Sequence, residues 1–296
     1  MIKLFWNTHN QTKSNSEDDK IKEKQATNYL WGKYHKKSSD KWIHEILKKI
    51  KYNTIESIVD LKKEDTLIII DSNVEEKSEL YLKLNIICSK VFLFHLGDEF
   101  GFNDLSTVYK NCNYIWRPFC SSKYFNHDKV KCIPIGYKSG VLNKKKKIRK
   151  YKWAFTGTPH KSSRHDLLLQ FSDIKPFFCH KTEKFDVKII SVDEMNDVLS
   201  STEFIPCPNG FFHPDTYRLY EALECGCIPI VENAYNYYDR LFPNNPFIKI
   251  DKWIDAKPII RGWNSNQIKK KSDECKLWWN KEKNNIQDFV KSKIII

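Results

Sequence analysis

An arginine and a glutamate with the spacing of one helical turn, Arg218 and Glu221, lie in the segment FHPDTYRLYEALECG. Residues three apart on a helix share a face, and Leu219 and Leu223 would form the opposite, core-facing pair. A guanidinium near the start of a helix suits a diphosphate, and a carboxylate one turn further on can accept hydrogen bonds from both hydroxyls of a ribose. The alternative is a surface ion pair, which contributes little to stability.

The flanking residues predict the elements that would position this pair. Thr202–Pro206 is a short apolar run typical of a strand, and Cys227–Val231 has the composition of a buried parallel strand. Between them we predict a helix from Pro214 to about Cys225, which the following glycine would stop. Such a unit places the loop that ends at Gly210 at the carboxyl end of the first strand, where open α/β sheets bind ligands.

These residues resemble a known family. The pattern P-x-G, then R-x-x-E-A-L, then G-C-I-P-[IV] is similar to that of the exostosin-type glycosyltransferases, and most closely to the ribitol xylosyltransferase branch. The matching positions are Pro208, Gly210, Arg218, Glu221, Ala222, Gly226, Cys227, Ile228 and Pro229. In that family the segment belongs to the nucleotide-sugar half of a GT-B fold. The resemblance implies donor contacts from this segment, and our candidates are Gly210, Asp215, Thr216, Arg218 and Glu221.

A second candidate donor segment begins at Trp153. Trp153–Thr158 predicts a strand that runs into a small-residue loop, with Ser162 as the cap of the next helix. Exostosin-type enzymes have a similar F-x-G followed by an arginine on the next helix, which implies donor contacts from Gly157, Thr158 and Arg164. The alternative for Arg164 is an ordinary solvated helix start.

Two carboxylates, Asp98 and Glu99, follow a predicted strand over Val91–Phe94 in the sequence HLGDE. Carboxylates at the tip of a buried strand are where an α/β enzyme would hold a general base, and the alternative is that one of them caps the next helix. In the resembled branch, similar HL-x-DE and IP-x-GY-x-x-G segments line the cleft side of the N-terminal domain. The second of these matches IPIGYKSG at residues 133–140, so the resemblance covers most of residues 90–290.

Short apolar runs such as Leu67–Ile70 and Tyr114–Arg117 alternate with helical patterns, which indicates parallel sheets. With the resemblance, this predicts an α/β GT-B fold: two Rossmann-like domains whose parallel sheets face a central cleft, with a C-terminal helix that crosses back. We expect an acceptor-side domain over residues 1–143 and a nucleotide-sugar-binding domain over residues 152–296. The lysine-rich Leu142–Lys152 would be the linker, and the alternative for it is a solvated loop within one domain.

The composition limits the compartment and the partners. The chain of 296 residues has a net charge of +13, yet no recognised nucleic-acid-binding motif accompanies the charge, so nucleic acid is not expected as a partner. Its nine cysteines form no regular framework and are expected to be mostly buried free thiols. We find no signal-peptide pattern at the start and no apolar run approaching the ~20 residues of a membrane span. A cytoplasmic enzyme of bacterial or viral origin is therefore expected.

The resemblance implies an enzyme that moves a hexosyl or pentosyl group from a nucleotide donor, a UDP-sugar, to a glycan or polyol-type acceptor. Inversion would need one base, Asp98 or Glu99, and positive charge to stabilise the leaving diphosphate, supplied by Arg218 and Arg164. No convincing D-x-D pattern for a manganese ion is present, so we expect no metal and no cofactor beyond the donor. The alternative is a non-catalytic α/β protein that binds a nucleotide or an anionic glycan.

Overall fold

Apolar runs of four to six residues form the buried strands of the first sheet, which holds Leu67–Ile70 at its centre with no exposed surface. The computed structural model describes residues 1–8, 19–141, 148–183 and 190–295. The contacts divide the chain into two units, Met1–Pro134 with Ile286–Ile296, and Ile135–Asn285. Residues 142–147 of the predicted linker lie outside the described residues.

The first unit contains the strands β1 (Ile2–Asn7), β2 (Asn53–Ile55), β3 (Thr66–Asp71), β4 (Lys90–His95), β5 (Tyr114–Arg117) and β6 (Val130–Cys132), and the helices α1 (Asp19–Ile46), α2 (Ser78–Ile87) and α3 (Ser106–Tyr109). Its six-stranded sheet has the order β2-β1-β3-β4-β5-β6, and all neighbouring strands are parallel. All carboxyl ends of a parallel sheet share one edge, so the polar residues that end these strands lie together.

The second unit contains the strands β7 (Tyr151–Gly157), β8 (Phe177–Lys181), β9 (Thr202–Cys207), β10 (Ile228–Glu232) and β11 (Ile248–Ile250), and the helices α4 (Arg164–Gln170), α5 (Val192–Ser200), α6 (Tyr217–Glu224), α7 (Tyr237–Leu241), α8 (Trp253–Gly262) and most of α9 (Ser265–Ile294). Its five-stranded parallel sheet has the order β11-β10-β9-β7-β8. The end of α9 belongs to the first unit, where Asp288 pairs with Lys49 at 2.7 Å.

The chain leaves β7 and β9 in opposite directions. From β7 it passes through α4 to β8 on one side, and from β9 it passes through α6 to β10 on the other, although β7 and β9 are neighbours. The two loops therefore diverge at the carboxyl ends of these strands, and this divergence is the switch point at which open α/β sheets bind ligands. Both predicted donor segments follow these two strands.

Two helices begin later than the sequence predicts. The helix expected from Pro214 begins at Tyr217, because Thr216 is extended (φ −141°, ψ 149°) and serves as the N-cap. Asp215 falls within the predicted helix but consequently lies before the first turn of α6. In α4 the cap is Ser163, since Ser162 has φ +51° and belongs to the turn before it.

The expectation of mostly free thiols is confirmed, with one pair as the exception. Cys120 and Cys132 form a disulfide, while the remaining cysteines are free and, except for Cys179, buried. The pairing follows from the sheet: Arg117 at the end of β5 is aligned with Cys132 in β6, which brings the loop after β5 within reach. Among the described residues, no helix combines the length and the apolar character needed to cross a bilayer.

We expect Lys77→Met to destabilise the first unit strongly. Lys77 Nζ lies 2.9 Å from Asp71 Oδ1, and the Asp71 side chain is fully buried. Removing the lysine would leave a buried carboxylate without its cation, at a cost of about 3 kcal/mol in the free energy of unfolding. Urea unfolding checks this, with Lys83→Met, an exposed lysine of α2, as the matched control. Equal stabilities for the two variants would contradict the prediction.

Candidate functional site

Arg218 on α6 reaches the end of strand β7. Its Nη2 donates to the Thr156 hydroxyl at 2.6 Å and to the Thr156 carbonyl oxygen at 3.2 Å. Its Nη1 lies 3.1 Å from Glu221 Oε2, and the Glu221 side chain is only 4% exposed. The pair predicted from the spacing is therefore formed, but it is not the surface ion pair of our alternative, because the carboxylate is buried. Thr156 was not among the predicted site residues.

Arg164, at the start of α4, reaches the same strand end. Its Nη1 donates to the Thr158 carbonyl oxygen at 3.2 Å, while its Nε is buried and has no hydrogen-bond partner among the described residues. Burial and then the charge of Arg218 lower the pKa of Arg164 to about 10, and the carboxylate of Glu232 opposes that shift. Arg164 is thus a positively charged group within electrostatic reach of a second arginine, which is unlike a solvated helix start.

Gly157 separates the two points at which the arginines contact the chain. Its φ of +141° lies in the region that glycine favours, and a Cβ there would stand 3.6 Å from Arg164 Nη1. The buried Thr158 hydroxyl lies 3.2 Å from that of Thr182, which follows β8. Beside Thr182 is a groove of about 530 Å³, lined by Pro159, His160, His165, Leu168, Leu169, Ser172, Lys181, Thr182 and Glu183.

The loop after β9 lies against the loop after β7. Lys161 Nζ is 5.6 Å from the centre of the Phe211 ring, which joins the two loops. The Asn209 N–H donates to Glu232 Oε2 at 3.1 Å, and the Gly210 N–H donates to the His213 carbonyl oxygen at 2.8 Å. Gly210 therefore shapes the turn of this loop through its own backbone.

The structure places Asp215 in the interior. Its Oδ1 accepts from the Tyr220 hydroxyl at 2.5 Å and its Oδ2 accepts from the Ile135 N–H at 3.2 Å. Burial raises the pKa of Asp215 to about 7, although the hydrogen bond from Tyr220 and two backbone N–H groups oppose that rise. These contacts show how Asp215 connects α6 to the chain at Ile135.

Buried polar atoms without a protein partner accompany both loops. They include Thr216 Oγ1 and Asn209 Oδ1 after β9, and Arg164 Nε after β7. Buried polar atoms are nearly always hydrogen-bonded in folded proteins, so each such atom calls for an explanation. A ligand that carries both hydrogen-bond acceptors and donors would satisfy these atoms.

In the first unit, the carboxylates of HLGDE have different environments. Asp98 has φ +60°, and its buried side chain pairs with Arg117 Nη2 at 3.0 Å, while Arg117 has no exposed surface. Arg117 Nη1 donates to the Tyr109 hydroxyl at 3.0 Å, and that hydroxyl lies 2.8 Å from His95 Nδ1. Glu99 is partly exposed. Sequence reasoning missed Arg117, although its place at the end of a predicted strand, beside Pro118, was a signal.

Burial, and then the charges of Arg117 and Lys77, lower the pKa of His95 well below its ordinary value, so this imidazole is neutral. Neither Asp98 nor Glu99 caps a helix in the described structure, because α3 begins at Ser106 with Leu105 as its N-cap. The helix-cap alternative is therefore wrong for both carboxylates.

Comparison with known proteins identifies the family. The sequence model of the RXYLT1 C-terminal domain matches residues 137–293, more than half of the chain. The chain belongs to the RXYLT1 C-terminal domain family. The matched range includes both segments that carry the candidate arginines, Arg164 and Arg218. A comparison with curated proteins found no match.

The fold of this RXYLT1-family chain is similar to that in a structure described as the crystal structure of an α1,3-fucosyltransferase. The TM-score is 0.55 and the sequence identity 12%, over 100% of this chain and 90% of that one. The two parallel sheets and this similarity confirm the predicted α/β GT-B fold, and membership of the RXYLT1 family confirms that the chain is a glycosyltransferase. Such an enzyme takes a nucleotide-sugar donor and a glycan acceptor.

The buried Asp215 gives this RXYLT1-family chain a testable pH dependence. The pKa of Asp215 is about 7 in the folded protein, whereas its ordinary value, taken for the unfolded chain, is 3.8. Between these pH values the native state therefore binds more protons than the unfolded state. The stability from the protonated carboxyl is thus fully present below about pH 4 and is lost as the pH rises through about 7.

We expect wild-type protein to lose roughly 2 kcal/mol more than Asp215→Asn between pH 5 and pH 8, because the amide does not ionise. Urea unfolding of both proteins at the two pH values measures the difference. Parallel pH dependences of the free energy of unfolding would contradict the assignment.

Proposed function

We propose that this glycosyltransferase moves a sugar from a UDP-sugar to a hydroxyl of a glycan or polyol-type acceptor, with inversion and without a bound metal ion. The observation that carries the proposal is the convergence of Arg164 and Arg218 on the end of β7, at the divergence of β7 and β9. The choice of UDP is supported by the exostosin-type motif and by membership of the RXYLT1 C-terminal domain family.

In this proposal the two guanidinium groups bind the diphosphate of the donor. A bound diphosphate would supply an acceptor for the buried Arg164 Nε and would offset the repulsion between Arg164 and Arg218. The open loop backbone at Gly157 allows close approach, and the groove beside Thr182 offers room for the nucleoside. The positive charge needed to stabilise the leaving group comes from side chains, which is the basis for proposing a metal-independent reaction.

Glu221 has two parts in the proposal. Its position one turn after Arg218 suits the ribose hydroxyls, and its 3.1 Å contact with Arg218 holds that guanidinium against the end of β7. Among the described residues, no group of three or more His, Cys, Asp and Glu side chains has the arrangement of a metal site. Assays of donor binding in the presence of EDTA therefore address the arginines and the metal question together.

For the general base we favour Glu99 over Asp98. The Asp98 carboxylate is buried and paired with a buried arginine, so it is suited to fixing the loop. Glu99, next in the chain and partly exposed, would accept the proton of the acceptor hydroxyl. The acceptor oxygen then bonds to the anomeric carbon while the bond from that carbon to the diphosphate breaks. One such displacement inverts the configuration.

We expect Arg218→Ala to weaken UDP binding about 10- to 100-fold, because a charge-assisted contact to phosphate contributes roughly 1.5–3 kcal/mol. Glu221→Ala is expected to weaken it as well, by releasing Arg218. Isothermal calorimetry with UDP in EDTA-containing buffer measures both, and thermal shifts with UDP, GDP and CDP rank the nucleotides.

Arg261→Ala is the matched control, since Arg261 lies on α8 of the same unit and pairs with the exposed Asp173. Unfolding curves establish that the variants remain folded. Wild-type UDP affinity in both Arg218→Ala and Glu221→Ala would show that the donor site lies elsewhere.

We expect Glu99→Gln to lower the transfer rate by about 10²–10⁴-fold with unchanged UDP affinity, because the amide cannot accept the proton. The measurement is UDP release from a panel of UDP-sugars in the presence of glycan and polyol acceptors. Asp98→Asn is expected to act differently: it leaves Arg117 buried and unpaired, so it should lower the free energy of unfolding. A Glu99→Gln enzyme with the wild-type rate would exclude Glu99 as the base.

A further inference from the structure

The segment from Ile135 to Gly140 begins the second unit, and its backbone is fixed to the rest of that unit at both ends. Gly136 has φ +76° and Gly140 has φ +95°, conformations that glycine adopts without strain. The Ile135 N–H donates to Asp215 Oδ2 at 3.2 Å. At the other end, Asn196 Nδ2 on α5 donates to the Gly140 carbonyl oxygen at 3.0 Å.

The segment packs closely against α5 at its second end, Gly140. A Cβ added to Gly140 would lie only 2.9 Å from Val192 Cγ1. Both ends of the segment are therefore fixed, one to the loop that precedes α6 and the other to α5.

Lys138 lies between Ile135 and Gly140, and its ammonium is at the start of α6. Lys138 Nζ is 6.0 Å from the centre of the ring of Tyr217, the first residue of that helix. Arg218 follows Tyr217 in the chain, and the buried hydroxyl of Thr216, which lacks a protein partner, precedes it. Lys138 thus lies beside Tyr217, the residue that immediately precedes Arg218 on α6.

We propose that Lys138 is an additional ligand of the nucleoside diphosphate, acting with Arg218 and Arg164. This inference rests on the proposed donor site and adds a residue that neither the donor motifs nor the arginine contacts include. An ammonium is a compact charge on a flexible stem, so Lys138 can follow the phosphate that gains charge as the sugar leaves. Three cations would match the charge of a departing diphosphate better than two.

Asp215 acquires a positioning role from the same geometry. Its Oδ2 accepts from the Ile135 N–H, and its Oδ1 accepts from the Tyr220 hydroxyl on α6. One carboxyl therefore joins the segment from Ile135 to Gly140 to the helix that carries Arg218. A buried side chain, and not the lysine itself, therefore holds the backbone of this segment to α6.

The test is UDP binding to Lys138→Met, measured by calorimetry over a range of NaCl concentrations. Methionine preserves an unbranched side chain over Tyr217 and removes the charge. We expect the affinity for UDP to fall about tenfold and its salt dependence to become shallower, with the melting temperature of the free protein unchanged. Lys138→Arg should recover most of the affinity, which a purely structural role would not require.

Lys152→Met is the matched control, because Lys152 lies in β7 of the same unit and pairs with Glu203 at 2.8 Å, near the amino ends of β7 and β9. It should bind UDP like the wild type. Equal UDP affinities for wild type and Lys138→Met would overturn this inference alone. A wild-type protein that does not bind UDP would overturn the proposed function and this inference together.

Discussion

Two guanidinium groups brought to one strand end set the electrostatics of the second unit. Arg164 and Arg218 both donate to the chain between Thr156 and Thr158, and the charge of Arg218 helps to lower the pKa of Arg164. Two like charges that are partly buried need nearby opposite charges to offset their repulsion. Glu221 supplies such a charge for Arg218 through a buried contact, and Glu232 does so in part for Arg164. In the proposed function, the diphosphate of the donor would offset the rest of the repulsion between the two arginines.

The sheet topology makes this convergence possible. β7 and β9 are neighbours whose connections leave in opposite directions. The loops after them therefore diverge, and α4 and α6 lie on different sides of this point. Gly157 has a φ of +141°, a backbone conformation that other residues rarely adopt, and this lets the first loop turn beside Arg164. The second loop is supported by Glu232 from the next strand. The crevice is therefore a consequence of strand order, and its charge a consequence of which side chains those loops and helices carry.

In the first unit, the two carboxylates Asp98 and Glu99 follow the end of β4. Gly97 allows HLGDE to pass so close to β3 that a Cβ there would lie 1.8 Å from the Ser72 carbonyl oxygen. Arg117, at the end of β5, then fixes Asp98 and is itself held by Tyr109. Burial of these groups strengthens their pairing but makes each one dependent on its partner. This network fixes the Asp98 side chain, and Glu99 is partly exposed.

Local patterns in the sequence were sufficient for the strands, the α/β class and the segments that carry the motif. The run Tyr114–Arg117 and the pair Arg218–Glu221 could be assigned because strand and helix periodicities involve near neighbours. The sequence did not reveal that Asp215 is buried, that Cys120 pairs with Cys132, or that Lys138 lies beside Tyr217. The contact of Arg218 with Thr156 joins residues 62 positions apart. Only the tertiary structure decides such contacts, because they depend on which strands are neighbours, and no local pattern of residue types encodes that order.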